Sequence, residues 1–140
     1  MWELTGLSLP VPVVPYLGGM STAKPIPSEI TQAQFLVVLM ERFPAVAEDV
    51  LEDEGLIHLQ VGSLAWYANA CVAKGRLDEV ARIIQFFQQT VEKVDSTLEN
   101  ALYVAFLEHL AFEGDSQNAQ QARLLLAPPY RDIWRQLRAG

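Results

Sequence analysis

Few residues in this chain carry reactive groups. There are two histidines, His58 and His109, and one cysteine, Cys71. His109 and Glu113 stand four apart, so on a helix they share a face, and Asp115 follows closely. That spacing suits a metal ion, but zinc takes at least three protein ligands. His58 has only Glu54 near it in sequence, across Gly55. A structural role is therefore expected for His109, with no metal and no other cofactor. His58 and Cys71 lie thirteen residues apart on one predicted helix, about 20 Å at 1.5 Å per residue. They cannot act as nucleophile and base within that helix. Cys71 sits in the apolar run AWYANACVAKG, where a free thiol packs as a small hydrophobe. Glycine-rich phosphate loops, HExxH and GxSxG are absent. The chain is read as a binding protein, not an enzyme.

Two features remain that could recognise something. Glu108 interrupts a nearly continuous apolar surface, and a buried carboxylate needs a partner. Arg76, Arg82 and Tyr103 are candidates, in an ion pair that fixes helix register rather than in catalysis. The second feature is the run Glu48, Asp49, Glu52, Asp53 and Glu54, five acids within seven positions. It is either a solvated face or a surface for a cationic partner, since clustered acids repel one another until something neutralises them. If the run is only solvated, the binding surface is sought around Trp66, Tyr67 and Tyr103. Net charge is −7 and the isoelectric point about 4.7. Nucleic acid is excluded as a partner on that balance, because affinity there comes from Lys and Arg on phosphates. A basic protein partner fits it.

The elements that must position these residues are helical. Thr97–Phe112, TLENALYVAFLEHLAF, is apolar on every side, which places it inside a bundle. Glu99, Asn100, Glu108 and His109 argue against a membrane span. Thr31–Phe43 is a helix with Phe35, Leu36, Leu39, Met40 and Phe43 inward, capped by Ser28 or Thr31 and stopped by Pro44. Val46, Val50 and Leu51 can anchor a short helix through the acidic run, which Gly55 ends. Ile57–Lys74 and Leu77–Val94 form a helical hairpin around Gly75. Val80, Ile83, Ile84, Phe87 and Val91 make the stripe of its second helix. Small residues along the first, Gly62, Ser63, Ala65, Ala68, Ala70 and Ala73, allow a neighbour to approach closely. Asp95 or Ser96 caps the central helix, Ser96 with Glu99 making a capping box. Ser116–Leu126 and Tyr130–Arg138 complete the series.

The expected architecture is all-α, a single-domain bundle of five to six helices over residues 28–140. Residues 1–27 hold five of the eight prolines and read as an extended arm. Trp2, Leu4, Leu7, Val11, Val13, Val14 and Tyr16 make it apolar enough to lie on the body or on a partner. Pro10, Pro12 and Pro15 break its apolar stretch, so neither a signal peptide nor a membrane helix is expected. MSTAKPIPSEIT reads as an ordinary leader, so Met20 is an alternative start. With 51% hydrophobic residues, the chain can build a core without disulfide or metal.

Leu64–Phe87 resembles one tetratricopeptide repeat, with Gly75 at the turn followed by Arg76, Leu77, Asp78 and Glu79. Val80 stands where that family prefers alanine, and no second copy follows at about 34 residues. Leu98–Leu110, LENALYVAFLEHL, behind a helical hairpin resembles a group of small bacterial all-α domains. In these an apolar helix often ends in Phe-Leu-Glu-x-Leu, here Phe106, Leu107, Glu108, His109 and Leu110. Such domains often occur beside secreted toxins and are suspected immunity proteins. The resemblance implies a cytoplasmic immunity protein that binds and neutralises a basic toxin domain, with no membrane partner. The alternatives are an adaptor or secretion chaperone using the hairpin, and a metal-dependent enzyme.

Overall fold

The computed structural model describes residues 29–140. The proline-rich arm, the alternative start at Met20 and the Ser28 cap lie outside those residues. The fold is all-α, and no strand occurs among the described residues. Among the described residues seven α-helices run α1 Gln32–Arg42, α2 Ala47–Glu52, α3 Ile57–Ala73, α4 Leu77–Thr90, α5 Ser96–Ala101, α6 Gln117–Leu125 and α7 Pro128–Ala139. The one beyond the expected five to six is the short acidic α2, which stands as a separate element between α1 and α3.

Local sequence sets most boundaries. Thr31 caps α1 in a capping box: its hydroxyl accepts from the Gln34 N–H at 3.1 Å, and the Gln34 side chain accepts from the Thr31 N–H at 2.9 Å. Asp95, not Ser96, caps α5, its carboxylate accepting from the Leu98 N–H at 2.8 Å. The same carboxylate accepts from Gln32 Nε2 at 3.2 Å, tying the starts of α1 and α5 together. Ser116 caps α6. Gly55 and Gly75 end α2 and α3 at φ of 84° and 73°, a region where a side chain would be strained.

α4 organises the core. Its adjacent Phe86 and Phe87 point into two different aromatic groups. Phe86 meets Phe35 and Phe43 at centroid distances of 5.2 and 5.7 Å. Phe87 meets Phe106 and Tyr130 at 5.2 and 5.3 Å and the Tyr103 ring edge-on at 6.1 Å. Leu64, Ala68, Ile84, Phe87, Leu102, Ala105 and Phe106, expected inside, are all buried. Cys71 is a buried free thiol.

Thr97–Phe112 is as buried as its composition requires, but it is not one helix. After α5 the chain widens into a π turn, Leu102–Phe106, then tightens into a 3-10 turn, Leu107–His109, and becomes extended at Leu110. A π turn adds one residue to the helical register. The shift lets Leu98 before it, Leu102 and Phe106 at its two ends, and Leu107 and Leu110 after it all reach full burial. Side chains then capture the backbone that would have continued the helix. Asn69 donates to the His109 carbonyl and accepts from the Ala111 N–H, both at 2.9 Å. Trp134 Nε1 donates to the Leu110 carbonyl at 2.9 Å. Arg138 donates to the Glu108 carbonyl at 2.8 Å.

Candidate functional site

The buried carboxylate of this fold is Glu79 rather than Glu108. In sequence Glu79 reads as a first-turn acid suited to the helix dipole. It is only 7% exposed, because α4 packs there against α1 and α3. Arg82 forms an ion pair with it, and the Tyr67 hydroxyl donates to it at 2.6 Å. Arg82 also donates to the Arg42 carbonyl at 3.0 Å and lies 5.1 Å from the Phe43 ring centre. Burial first, then the hydrogen bond to Glu79, pushes the Tyr67 phenol up to about 12. These groups hold α1, α3 and α4 in register. Glu108 is half-buried, and Arg82, one of its expected partners, pairs with Glu79 instead.

The acidic run splits into two sets. Asp49 on α2 and Asp53 at its C-cap face a cleft of about 790 Å³ between α2, α3 and the π turn. Glu48, Glu52 and Glu54 are exposed outside its lining. α2 is held in place from beneath. Val50 is 1% exposed, and the buried Gln60 side chain of α3 donates to the Val50 carbonyl at 2.8 Å. Gln60 thereby satisfies one of the carbonyls that a helix leaves unpaired in its last turn.

The opposite wall comes from α3. Leu59, Gly62, Ser63, Trp66 and Asn69 recur every three to four residues along one helical face and all line the cleft. Small residues hollow it out: Gly62 and Ala65 on α3 face Val104 and Ala105 of the π turn. A Cβ placed on Gly62 would lie 3.8 Å from the Ala105 carbonyl oxygen, an ordinary contact. The close approach foreseen for the small residues thus occurs at Gly62 and Ala65, whereas Ala70 and Ala73 are exposed. Trp66 stands on the rim, 81% exposed. Its indole is left largely unpacked by the rest of the domain.

Both histidines also line this cleft. His58 sits in the first turn of α3, its Nε2 3.5 Å from the Asn100 side-chain nitrogen. His109 closes the 3-10 turn, held there by Asn69. Glu113, its expected companion, instead pairs with Arg138. Burial raises the Glu113 carboxyl, but its own backbone N–H and Arg138 outweigh that and hold it below the usual carboxylate range. Among the described residues, no three His, Cys, Asp or Glu side chains are grouped as a metal ion requires. Cys71 is not part of the cleft lining.

Of the residues singled out in sequence, Asp49, Asp53 and Trp66 come together. Tyr67 points away, to Glu79 and the Phe43 ring. Tyr103 packs on Phe87. His58, His109, Leu59 and Asn69 join the cleft without having been linked to it in sequence. One signal was readable. No lysine or arginine occurs between Arg42 and Lys74, or between Lys93 and Arg123. Every residue lining the cleft falls within those two segments. Among the described residues, its walls therefore carry carboxylates and no permanent cation.

Residues 37–139 match the family described as a domain of unknown function, DUF7674, and the chain belongs to that family. No curated protein and no solved structure matches it. Among the described residues, no helix is long and apolar enough to cross a membrane.

Proposed function

We propose that this protein is a non-catalytic binding protein that takes a basic segment of a protein partner into the cleft between α2, α3 and the π turn. The observation that carries the proposal is the union of an unpacked Trp66 with a lining that, among the described residues, holds Asp49 and Asp53 but no lysine or arginine. Aromatic rings dominate the energetics of protein interfaces. Complementary charge steers the encounter and rejects wrong partners. A stability role explains the acids poorly. Glu52 and Asp53 lie at the carboxyl end of α2, where a helix dipole disfavours negative charge and the last turn holds no basic residue.

In its specific form the protein is a cytoplasmic immunity protein, and the segment belongs to a toxin domain whose activity the complex masks. The acidic cleft and the likeness of Leu98–Leu110 to immunity-associated domains support that form. The adaptor or chaperone reading is second, favoured by the exposed apolar stripe of Leu59, Trp66 and Ala70 on the α3–α4 hairpin.

The test is co-expression with the product of the neighbouring gene. Growth rescue that Trp66→Ala or Asp49→Asn/Asp53→Asn abolishes supports immunity. A stable complex with a secreted effector that has no toxicity supports the chaperone. No complex with any neighbouring product contradicts both.

A further inference from the structure

Resting on the binding reading above, we infer that the cleft selects arginine over lysine, with Trp66 as the stacking surface and Asp49 and Asp53 as acceptors. Three observations converge on a planar cation. The Trp66 indole is 81% exposed beside the cleft, so its face is free to receive a ligand. Asp49 on α2 and Asp53, the residue capping its carboxyl end, line the same cleft as Trp66 and offer it two carboxylates. The cleft has a volume of about 790 Å³, within the usual range for bound ligands, and among the described residues its lining holds no competing lysine or arginine.

Arginine suits this combination better than lysine. A guanidinium is flat and weakly hydrated, so it can stack on an indole while its edge donates to carboxylates. An ammonium is a compact, strongly hydrated point charge that gains less from the ring. Asn69 does not compete for the ligand, because its amide is already committed at both ends to the backbone of His109 and Ala111.

The probes are acetylated, amidated hexapeptides of arginine, lysine and citrulline, with spermine as a non-peptide polycation. The full chain is titrated with each, following the Trp66 indole N–H by NMR, assigned through Trp66→Phe. Hexaarginine is expected to move that signal and to bind about fivefold more tightly than hexalysine, the scale of an exposed cation–π contact. Trp66→Ala should close the gap between the two peptides. Asp49→Asn/Asp53→Asn should weaken both about tenfold or more. Hexacitrulline, flat but uncharged, should not bind. Trp66 and Asp49 are exposed and Asp53 is half-buried, so a thermal melt of each variant checks that folding is retained.

Equal affinity for hexaarginine and hexalysine with an unmoved Trp66 signal would overturn arginine selection and leave the acidic cleft standing. Spermine binding as tightly as hexaarginine would overturn it in favour of any polycation. Failure of every cationic probe to bind would overturn the cleft reading itself.

Discussion

Gln60 Nε2 lies 2.8 Å from the Val50 carbonyl oxygen, and both residues are buried. This one bond fastens the six-residue acidic helix to α3, and so fixes where Asp49 and Asp53 stand. A helix that short has little stability of its own. Its position depends on Val50 in the core and on Gln60. Gln60→Leu keeps similar bulk but leaves a buried acceptor unpaired, and should cost about 1–3 kcal/mol in urea unfolding. Amide exchange across Ala47–Glu52 should accelerate more than in α4. Unchanged stability would mean that α2 is held by Val50 alone.

Gly62 offers a test that separates stability from binding. A Cβ there meets only ordinary contact with Ala105, so Gly62→Ala should raise stability by about 0.5–1 kcal/mol through helix propensity. Gly62→Leu should keep the fold and push its side chain into the cleft, reducing affinity for a basic peptide. A Leu variant that unfolds would show that α3 and the π turn are closer than their geometry implies.

The Tyr67–Glu79 pair predicts alkaline behaviour. The folded state raises the Tyr67 phenol to about 12, above its unfolded value of about 10. The stabilisation is therefore complete below pH about 10 and is lost as pH rises through about 12. Burial, then the hydrogen bond to Glu79, causes the shift, so Tyr67→Phe should flatten the fall in urea midpoint across that window. Tyr130, raised by burial and by its bond to Glu92, leaves some slope behind. An unaltered slope in Tyr67→Phe would contradict the assignment.

At the broken central helix, Trp134→Phe removes the donor to the buried Leu110 carbonyl and should cost about 1–3 kcal/mol. Leu102→Ala, at a fully buried site where the π turn begins, should cost about 2–5 kcal/mol. Thermal or urea denaturation measures both. A change below about 0.5 kcal/mol in Leu102→Ala would place that residue outside the core.

Helix class and core were legible because they depend on spacing within short windows. Val80, Ile83, Ile84, Phe87 and Val91 recur at helical intervals, and each is buried. Thr31, one of two cap candidates, and Gly55 and Gly75 announce their boundaries through backbone chemistry alone. Residues 97–112 were legible as buried but not as broken. The break depends on Asn69, Trp134 and Arg138, which arrive from distant parts of the chain. Glu79 was hidden for the same reason: burial of a first-turn acid is decided by packing against α1 and α3. The acidic run was visible as a run. Its division into cleft-lining Asp49 and Asp53 and outward Glu48 and Glu52 follows from how α2 docks, which no local pattern encodes.

That division allows the decisive comparison: the affinity of hexaarginine for Asp49→Asn/Asp53→Asn and for Glu48→Gln/Glu52→Gln, each at about 0.1 M and about 1 M salt. Each pair removes two charges from α2, so long-range steering changes equally. Only the first pair removes acceptors from the cleft. The cleft predicts about a tenfold or greater loss for Asp49→Asn/Asp53→Asn that persists at the higher salt, where the Debye length is near 3 Å. Glu48→Gln/Glu52→Gln should lose affinity at the lower salt and match the wild-type chain at the higher. Equal losses for the two pairs at both salts would contradict a binding site in the cleft and return the acids to a uniformly solvated face.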